Sequence, residues 1–192
     1  MKQNNSGIVR EVTRCRICDS TDLLNYLDLG LLPLANNLAS SARDAKEMRR
    51  YPMQVQYCRD CSLSQLTVVI DPREMFSNYA YRSSISKSYV EHCRTMARSL
   101  RDSLGLKQGD LVVDIAGNDG ALLSVFKDEL GVRVVNVDPA ENLAAIAEAQ
   151  GVPTITSFWG PEAAEKVIAV HGRPDLITAT NVFAHVDDVR GF

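Results

Sequence analysis

No run of about 18 apolar residues occurs in the chain, so it holds no candidate bilayer-spanning helix. The N-terminal MKQNNSGIVREVTR lacks the apolar stretch of an export signal. A basic surplus is also missing: the net charge is −3 and the pI near 5.6, which counts against nucleic acid as the main partner. A soluble, cytoplasmic protein with a small-molecule partner, and neither a membrane nor a nucleic-acid partner, is the expectation; the oligomeric state stays open. Five cysteines with no export signal do not make a disulfide framework in a reducing compartment. What is present, 192 residues of which 45% are hydrophobic, suffices for one ordinary domain and a small appendage.

Four cysteines fall into two C-x-x-C pairs, Cys15 with Cys18 (CRIC) and Cys58 with Cys61 (CRDC). Two residues between thiols let both sulfurs of one turn reach a single ion, and four soft ligands make a closed tetrahedral zinc site with no position left for chemistry. Structural Zn2+ is therefore expected here; a redox pair or unligated thiols are the alternatives. Between the knuckles, LDLGLLPLANNLASS is apolar but interrupted by Gly30 and Pro33, which favours short strands and loops over a long helix. QLTVVI (65–70) reads as a strand, and Asp71-Pro72 as a turn.

Tyr79, Tyr81, Ser83 and Ser84 lie in a hydroxyl-rich stretch that can position a polar substrate; capping and linker roles for the serines, and packing for the tyrosines, are the plain alternative. From Ser86, apolar residues recur at helical spacing through Val90, Cys93, Ala97, Leu100 and Leu104, with Gly105 as C-cap, so Cys93 belongs to a core. Beyond this, strands and helices alternate: LVVDI, a helix from about Ala121, VRVVNVD, a helix over 141–150, VPTITSF, a helix over 162–170, and DLITATN ending at Asn181. That alternation means a parallel sheet built from right-handed β-α-β units.

The turn AGNDG after the first strand is a poor match to a pyrophosphate-binding G-x-G-x-x-G. It also places Asp114 and Asp119 where phosphate would be repelled. A cationic ligand fits better. S-adenosylmethionine is one: a sulfonium joined to a ribose whose diol wants an acid at the end of the next strand, where Asp138 stands. A structural glycine turn with solvated aspartates is the alternative. Because ligands bind where strand order reverses, His185 beyond the fourth strand is expected to approach Gly117 to Gly120, where it can take a proton at neutral pH; packing at a helix start is its plain alternative.

CRIC with CRDC, LGLLPLANNL, YAYRSSISKSYVEH, DIAGNDGALL and NVFAHVDD together resemble the S-adenosylmethionine-dependent C-methyltransferases of nucleotide-linked keto-deoxysugars, over nearly the whole chain. The resemblance implies an α/β, Rossmann-like class I methyltransferase sheet behind a small zinc-binding domain. It implies that Asp114, Gly117, Asn118, Asp119 and Gly120 line the methionine end, Asp138 the ribose, and Phe158 and Trp159 the adenine. Ala116, Pro139 and Asn181 are counted with these cofactor residues. Tyr79 and His185 would face the sugar as catalytic residues, and Tyr81, Ser83 and Ser84 would join Tyr79 in binding it. Members carry glycine where Ala116 stands, and alanine is expected to fit there if its φ is negative.

The resemblance divides the chain into a zinc domain (1–70), a linker with the first helix (71–105) and a partial cofactor-binding core (106–192). It also implies further strands and a C-terminal domain supplying the catalytic base, so a fragment with an exposed fourth-strand edge, inactive alone, is expected. A different acceptor metabolite, or a non-catalytic zinc-ribbon binding module, are the competing functions.

Overall fold

The computed structural model describes residues 7–192. Residues up to Phe76 together with Asp187–Gly191 make one compact unit, and Ser77–Val186 with Phe192 make a second.

In the first unit, β1 (Val9–Glu11) pairs antiparallel with β5 (Val68–Ile70). A three-stranded antiparallel sheet runs in the order β2 (Leu23–Leu32), β3 (Tyr51–Cys58), β4 (Ser64–Leu66). The expectation of short strands between the knuckles needs correcting, because β2 is ten residues long. Gly30 does not end it: at φ +76 it sits where the register with β3 shifts between Asp28 and Leu31. Asp28 Oδ1 accepts the Gly30 N–H at 2.8 Å, so the bulge absorbs the glycine and the strand continues to Leu32. A short helix, α1 (Ala42–Glu47), follows, capped by the Ser41 side chain accepting from the Asp44 N–H.

QLTVVI is two strands rather than one. Thr67 takes a carbonyl of β3 through Thr67 N–H to Gln54 O at 3.1 Å, and gives its own carbonyl to Val12 N–H at 2.9 Å. The chain thus leaves one sheet and joins the other at a single residue. Asp71-Pro72 opens α2 (Pro72–Phe76), with proline in its first turn and Asp71 Oδ1 accepting from Arg73 N–H.

The second unit starts with α3 (Lys87–Leu104), whose Ser86 N-cap accepts from Tyr89 N–H and whose C-cap Gly105 has φ +68. Then come β6 (Leu111–Ile115), α4 (Ala121–Leu130), β7 (Arg133–Val137), α5 (Glu141–Ala149), β8 (Thr154–Ile155), α6 (Pro161–His171) and β9 (Leu176–Thr178). The last two strands are shorter than their sequence patterns. All pairings are parallel, in the order β8-β7-β6-β9. The fourth strand lies beside the first, so strand order reverses between β6 and β9.

The valine-rich β6 and β7 are buried on both faces, as parallel strands covered by helices must be. Val112 and Val134 face Cys93 and Ala97 of α3, Leu122, Leu123 and Phe126 of α4, and Ala147 of α5. On the opposite face, Leu111, Val113, Val135 and Val137 meet Ala163 and Val167 of α6. Each such fully buried large side chain contributes roughly 1.5–3 kcal/mol. This two-sided packing presents the carboxyl ends of β6 and β7 to the loops that follow. Among the described residues, no helix is long and apolar enough to cross a membrane.

Candidate functional site

In the first unit the four knuckle thiols converge. Cys15 and Cys61 sulfurs lie 3.4 Å apart, Cys18 and Cys58 sulfurs 3.5 Å apart, and all four fall within 4.8 Å of one another. A tetrahedral zinc with bonds of about 2.3 Å separates its sulfurs by about 3.8 Å, so the cluster fits that ion.

The two knuckles are built alike. Asp19 and Ser62, each directly after a second cysteine, have φ of 64° and 65°. Their amides donate to the first cysteine's carbonyl, Asp19 N–H to Cys15 O and Ser62 N–H to Cys58 O, both at 2.9 Å. Cys15 N–H and Cys58 N–H donate in turn to Ser20 O and Leu63 O, both at 2.8 Å. Each thiol pair is therefore aimed at the common centre by a closed backbone turn.

In the second unit, the turn at the end of β6 alternates left-handed residues: Ala116 at φ +54, Asn118 at +57 and Gly120 at +79. The condition under which alanine was expected to fit at 116 is thus not met, and its methyl group is held in a conformation costing about 1–2 kcal/mol. Gly117 is required for space. A Cβ there would stand 2.5 Å from Asn136 Oδ1 and 2.8 Å from Asp114 Oδ2.

Beneath this turn the groups are rich in acceptors. Asp114 is 1% exposed, and its carboxyl accepts from Thr178 Oγ1 of β9 at 2.7 Å. Burial lifts its pKa to about 7, against the Thr178 hydroxyl, which lowers it, and with the Asp138 charge adding to the rise. Asn136 donates through Nδ2 to Asn118 O at 3.1 Å, while its buried Oδ1 has no partner. Asp138 accepts from Asn118 N–H and from Ala140 N–H, each at 2.8 Å. Burial raises its pKa, against those two amides and with the Asp119 charge. An orphaned oxygen among carboxylates favours a cationic or hydroxyl-bearing ligand and disfavours phosphate.

The serine-rich segment lies on the turn itself. Ser83 N–H donates to Asn118 Oδ1 at 3.0 Å, and Asn118 Nδ2 donates to Tyr81 O at 3.1 Å. Ser84 donates to Asp119 through its hydroxyl at 2.6 Å and through its amide at 3.2 Å. The Arg82 guanidinium stands 3.7 Å from the same carboxylate, which is fully buried. Ser83 and Ser84 thus have structural partners, and the Asp119 carboxylate is turned onto this segment. Tyr79 is half-buried and Tyr81 exposed. Tyr79 is held by Asn142 of α5, whose Oδ1 accepts its N–H at 3.0 Å and whose Nδ2 donates to its carbonyl at 2.9 Å.

Of the other expected residues, Pro139 is half-buried between Asp138 and the start of α5, and Trp159 packs on the face of the sheet covered by α6. Phe158 is exposed. Asn181 is exposed at φ +56, and His185 is exposed in a single 3-10 turn (Phe183–His185) beyond β9. Asn136, Asn142 and Thr178 escaped the sequence reading. Thr178 and Asn136 carried a faint signal as polar residues inside buried strands; Asn142, on an ordinary amphipathic helix, carried none.

A family model described as a zinc binding domain matches residues 15–76, and one described as a methyltransferase domain matches residues 89–192. The chain is 38% identical over 182 residues to the C-methyltransferase NovU of Streptomyces niveus, covering 95% of this chain and 43% of that one. It is also 38% identical over 98 residues to a ubiquinone biosynthesis O-methyltransferase of Methylobacterium sp. (strain 4-46), covering 48% of this chain and 38% of that one. The chain thus spans less than half the length of either relative. Among solved structures, a methyltransferase from Geobacter sulfurreducens in complex with S-adenosyl-L-homocysteine aligns with 60% of this chain and 45% of its own, at 18% identity and a TM-score of 0.38. With a methyltransferase-domain match over more than half its length and four clustered thiols ahead of a parallel α/β sheet, the chain belongs to the S-adenosylmethionine-dependent methyltransferase family and carries a zinc-binding domain.

Proposed function

We propose that the protein takes part in C-methylation of a nucleotide-activated keto-deoxysugar. The observation that carries this is the acceptor-rich cradle under the turn from Ala116 to Gly120, set at the reversal of strand order. The similarity to a C-methyltransferase along 95% of the chain supports the reaction type. The sugar rests on the tyrosine- and serine-rich segment and on NVFAHVDD, which resemble sugar enzymes.

When bound, S-adenosylmethionine supplies a methyl group on a sulfonium that departs as a neutral thioether. Asp114 and the Gly117 amide hold its amino-acid end, the amides of Ala116, Asn118, Asp119 and Gly120 being taken by protein acceptors. Asp138 holds the ribose: both its oxygens already accept a backbone amide, and each keeps a second lone pair for a hydroxyl. Phe158 and Trp159 flank the adenine, with Pro139 and Asn181 at the margins.

On the acceptor, the ketone makes the neighbouring C–H acidic. A base removes that proton, and the enolate carbon takes the methyl group. His185 serves proton transfer, and the Tyr79 hydroxyl donates a hydrogen bond to the enolate oxygen. Tyr81 presents its exposed ring to the sugar, and Ser83 and Ser84 hold that segment in place. Zinc does no chemistry; it folds the first unit.

Calorimetric titration of the zinc-loaded chain with S-adenosylhomocysteine tests the cofactor half. Heat is expected from the unmutated protein, with affinity about tenfold weaker in Asp138→Ala and intermediate in Asp138→Asn, which keeps one acceptor. No heat from a folded sample would end the reading. For the acceptor, transfer of labelled methyl to a thymidine-diphosphate-linked 4-keto-deoxysugar is expected, and transfer to a phenolic oxygen instead would replace the sugar.

A further inference from the structure

We infer that Asn142 is a positioning residue, which seats Tyr79 against the cofactor turn and ties the acceptor side of the site to the ribose side. The inference rests on the reading of Tyr79 and Asp138 given above.

Residues 77–84 form a strap whose main chain is tied to the cofactor turn and to α5 chiefly by side chains. Asn142 pairs with both the N–H and the carbonyl of Tyr79, as a neighbouring antiparallel strand would. Asn118 receives the N–H of Ser83 and donates to the carbonyl of Tyr81, as a parallel neighbour of residue 82 would. Two asparagine amides thus replace two strands. At its start the strap also serves α5: Ser77 O accepts the Glu141 N–H at 3.2 Å, where the helix N-cap, Ala140, has no side chain to offer.

These bonds close a ring. Asn118 N–H and Ala140 N–H meet on the two oxygens of Asp138. Ala140 leads into α5, Asn142 of α5 binds Tyr79, and the strap returns from Tyr79 to Asn118. A ligand hydroxyl taken by Asp138 therefore acts on a carboxylate that already holds both anchors of the strap. The hydrogen bonds of the Asn142 side chain go to Tyr79 and to neither the turn nor Asp138, and the residue is exposed, so holding Tyr79 is the role its position leaves it.

Amide exchange followed residue by residue by NMR, with and without S-adenosylhomocysteine, tests this on the whole zinc-loaded chain. In the unmutated protein, Tyr79 N–H is expected to exchange slowly and to slow further on adding S-adenosylhomocysteine. Asn142→Ala is expected to speed Tyr79 exchange at least tenfold and to weaken S-adenosylhomocysteine binding about fivefold, with the ligand-free unfolding midpoint and the amides of β6 and β7 unchanged. Asn142→Asp keeps the acceptor, so Tyr79 N–H is expected to stay slow. Equal Tyr79 exchange in Asn142→Ala and the unmutated protein overturns the inference, as does a loss of protection throughout β6 and β7, which would make Asn142 merely structural. Failure of S-adenosylhomocysteine to bind the unmutated chain is a different result, and sinks the cofactor reading itself.

Discussion

Thr178 Oγ1 donates to Asp114 Oδ1 at 2.7 Å, joining the fourth strand of the parallel sheet to the first beneath the turn. The bond crosses the point where strand order reverses, so it links the sheet's register to the protonation of a buried acid.

That acid makes stability depend on pH. The Asp114 pKa is about 7 in the folded chain, against 3.8 for an ordinary aspartate, chiefly because of burial. Between those values the folded state binds more protons than the unfolded one, so this group's contribution to stability falls as pH rises from about 4 to about 7 and levels off above. Urea midpoints of the unmutated chain minus those of Asp114→Asn are expected to decline across that window. A flat difference would show that the carboxyl is ionised throughout.

Removing the donor should act on the same group. Thr178→Val keeps the shape and leaves Asp114 Oδ1 without its hydroxyl, at an expected cost of about 1–2 kcal/mol. At about pH 8 to 9, where Asp114 is ionised, the same substitution in Asp114→Asn should cost less, because the acceptor is neutral. A double-mutant cycle with no coupling would show that the charge on Asp114 adds nothing to this bond.

Adjacent positions in the turn should respond with opposite sign. Ala116→Gly relieves a left-handed alanine at φ +54 and is expected to stabilise by about 0.5–1 kcal/mol, after the added freedom of the unfolded chain. Gly117→Ala drives a methyl group onto Asn136 Oδ1 and Asp114 Oδ2, and is expected to destabilise by about 1–3 kcal/mol. Thermal melts of the two variants check this. Destabilisation by Ala116→Gly would show that the methyl group has a packing role that outweighs its strain.

Zinc should be required by one unit only. Elemental analysis is expected to find one zinc per chain, lost in Cys58→Ser. A strong chelator should abolish amide protection in β2 and β3 while leaving the helices α3 to α6 protected. Protected β2 and β3 in a metal-free sample would mean that the knuckles close without the ion.

The strand and helix order of the second unit was legible because burial imposes a pattern on it: LVVDI and VRVVNVD are buried on both faces, and α3 repeats apolar residues at helical spacing. The knuckles were legible because ligand spacing is local. Thr67 was not, since the switch from β4 to β5 depends on which backbone groups come within reach, the Gln54 carbonyl on one side and the Val12 N–H on the other. Ala116 misled because an alanine does not announce a positive φ.

By itself, then, the sequence determined the elements, the thiol cluster and the acidic character of the turn, all of which follow from periodicity and spacing along the chain. Only the tertiary structure decided where Ser83, Ser84 and Asp119 spend their hydrogen bonds, that Asn136 keeps an orphaned oxygen under Gly117, and that Asn142 reaches back 63 residues to Tyr79. A side-chain amide has no preferred partner along the chain; it bonds to whatever backbone the packing of helix and sheet brings within about 3 Å.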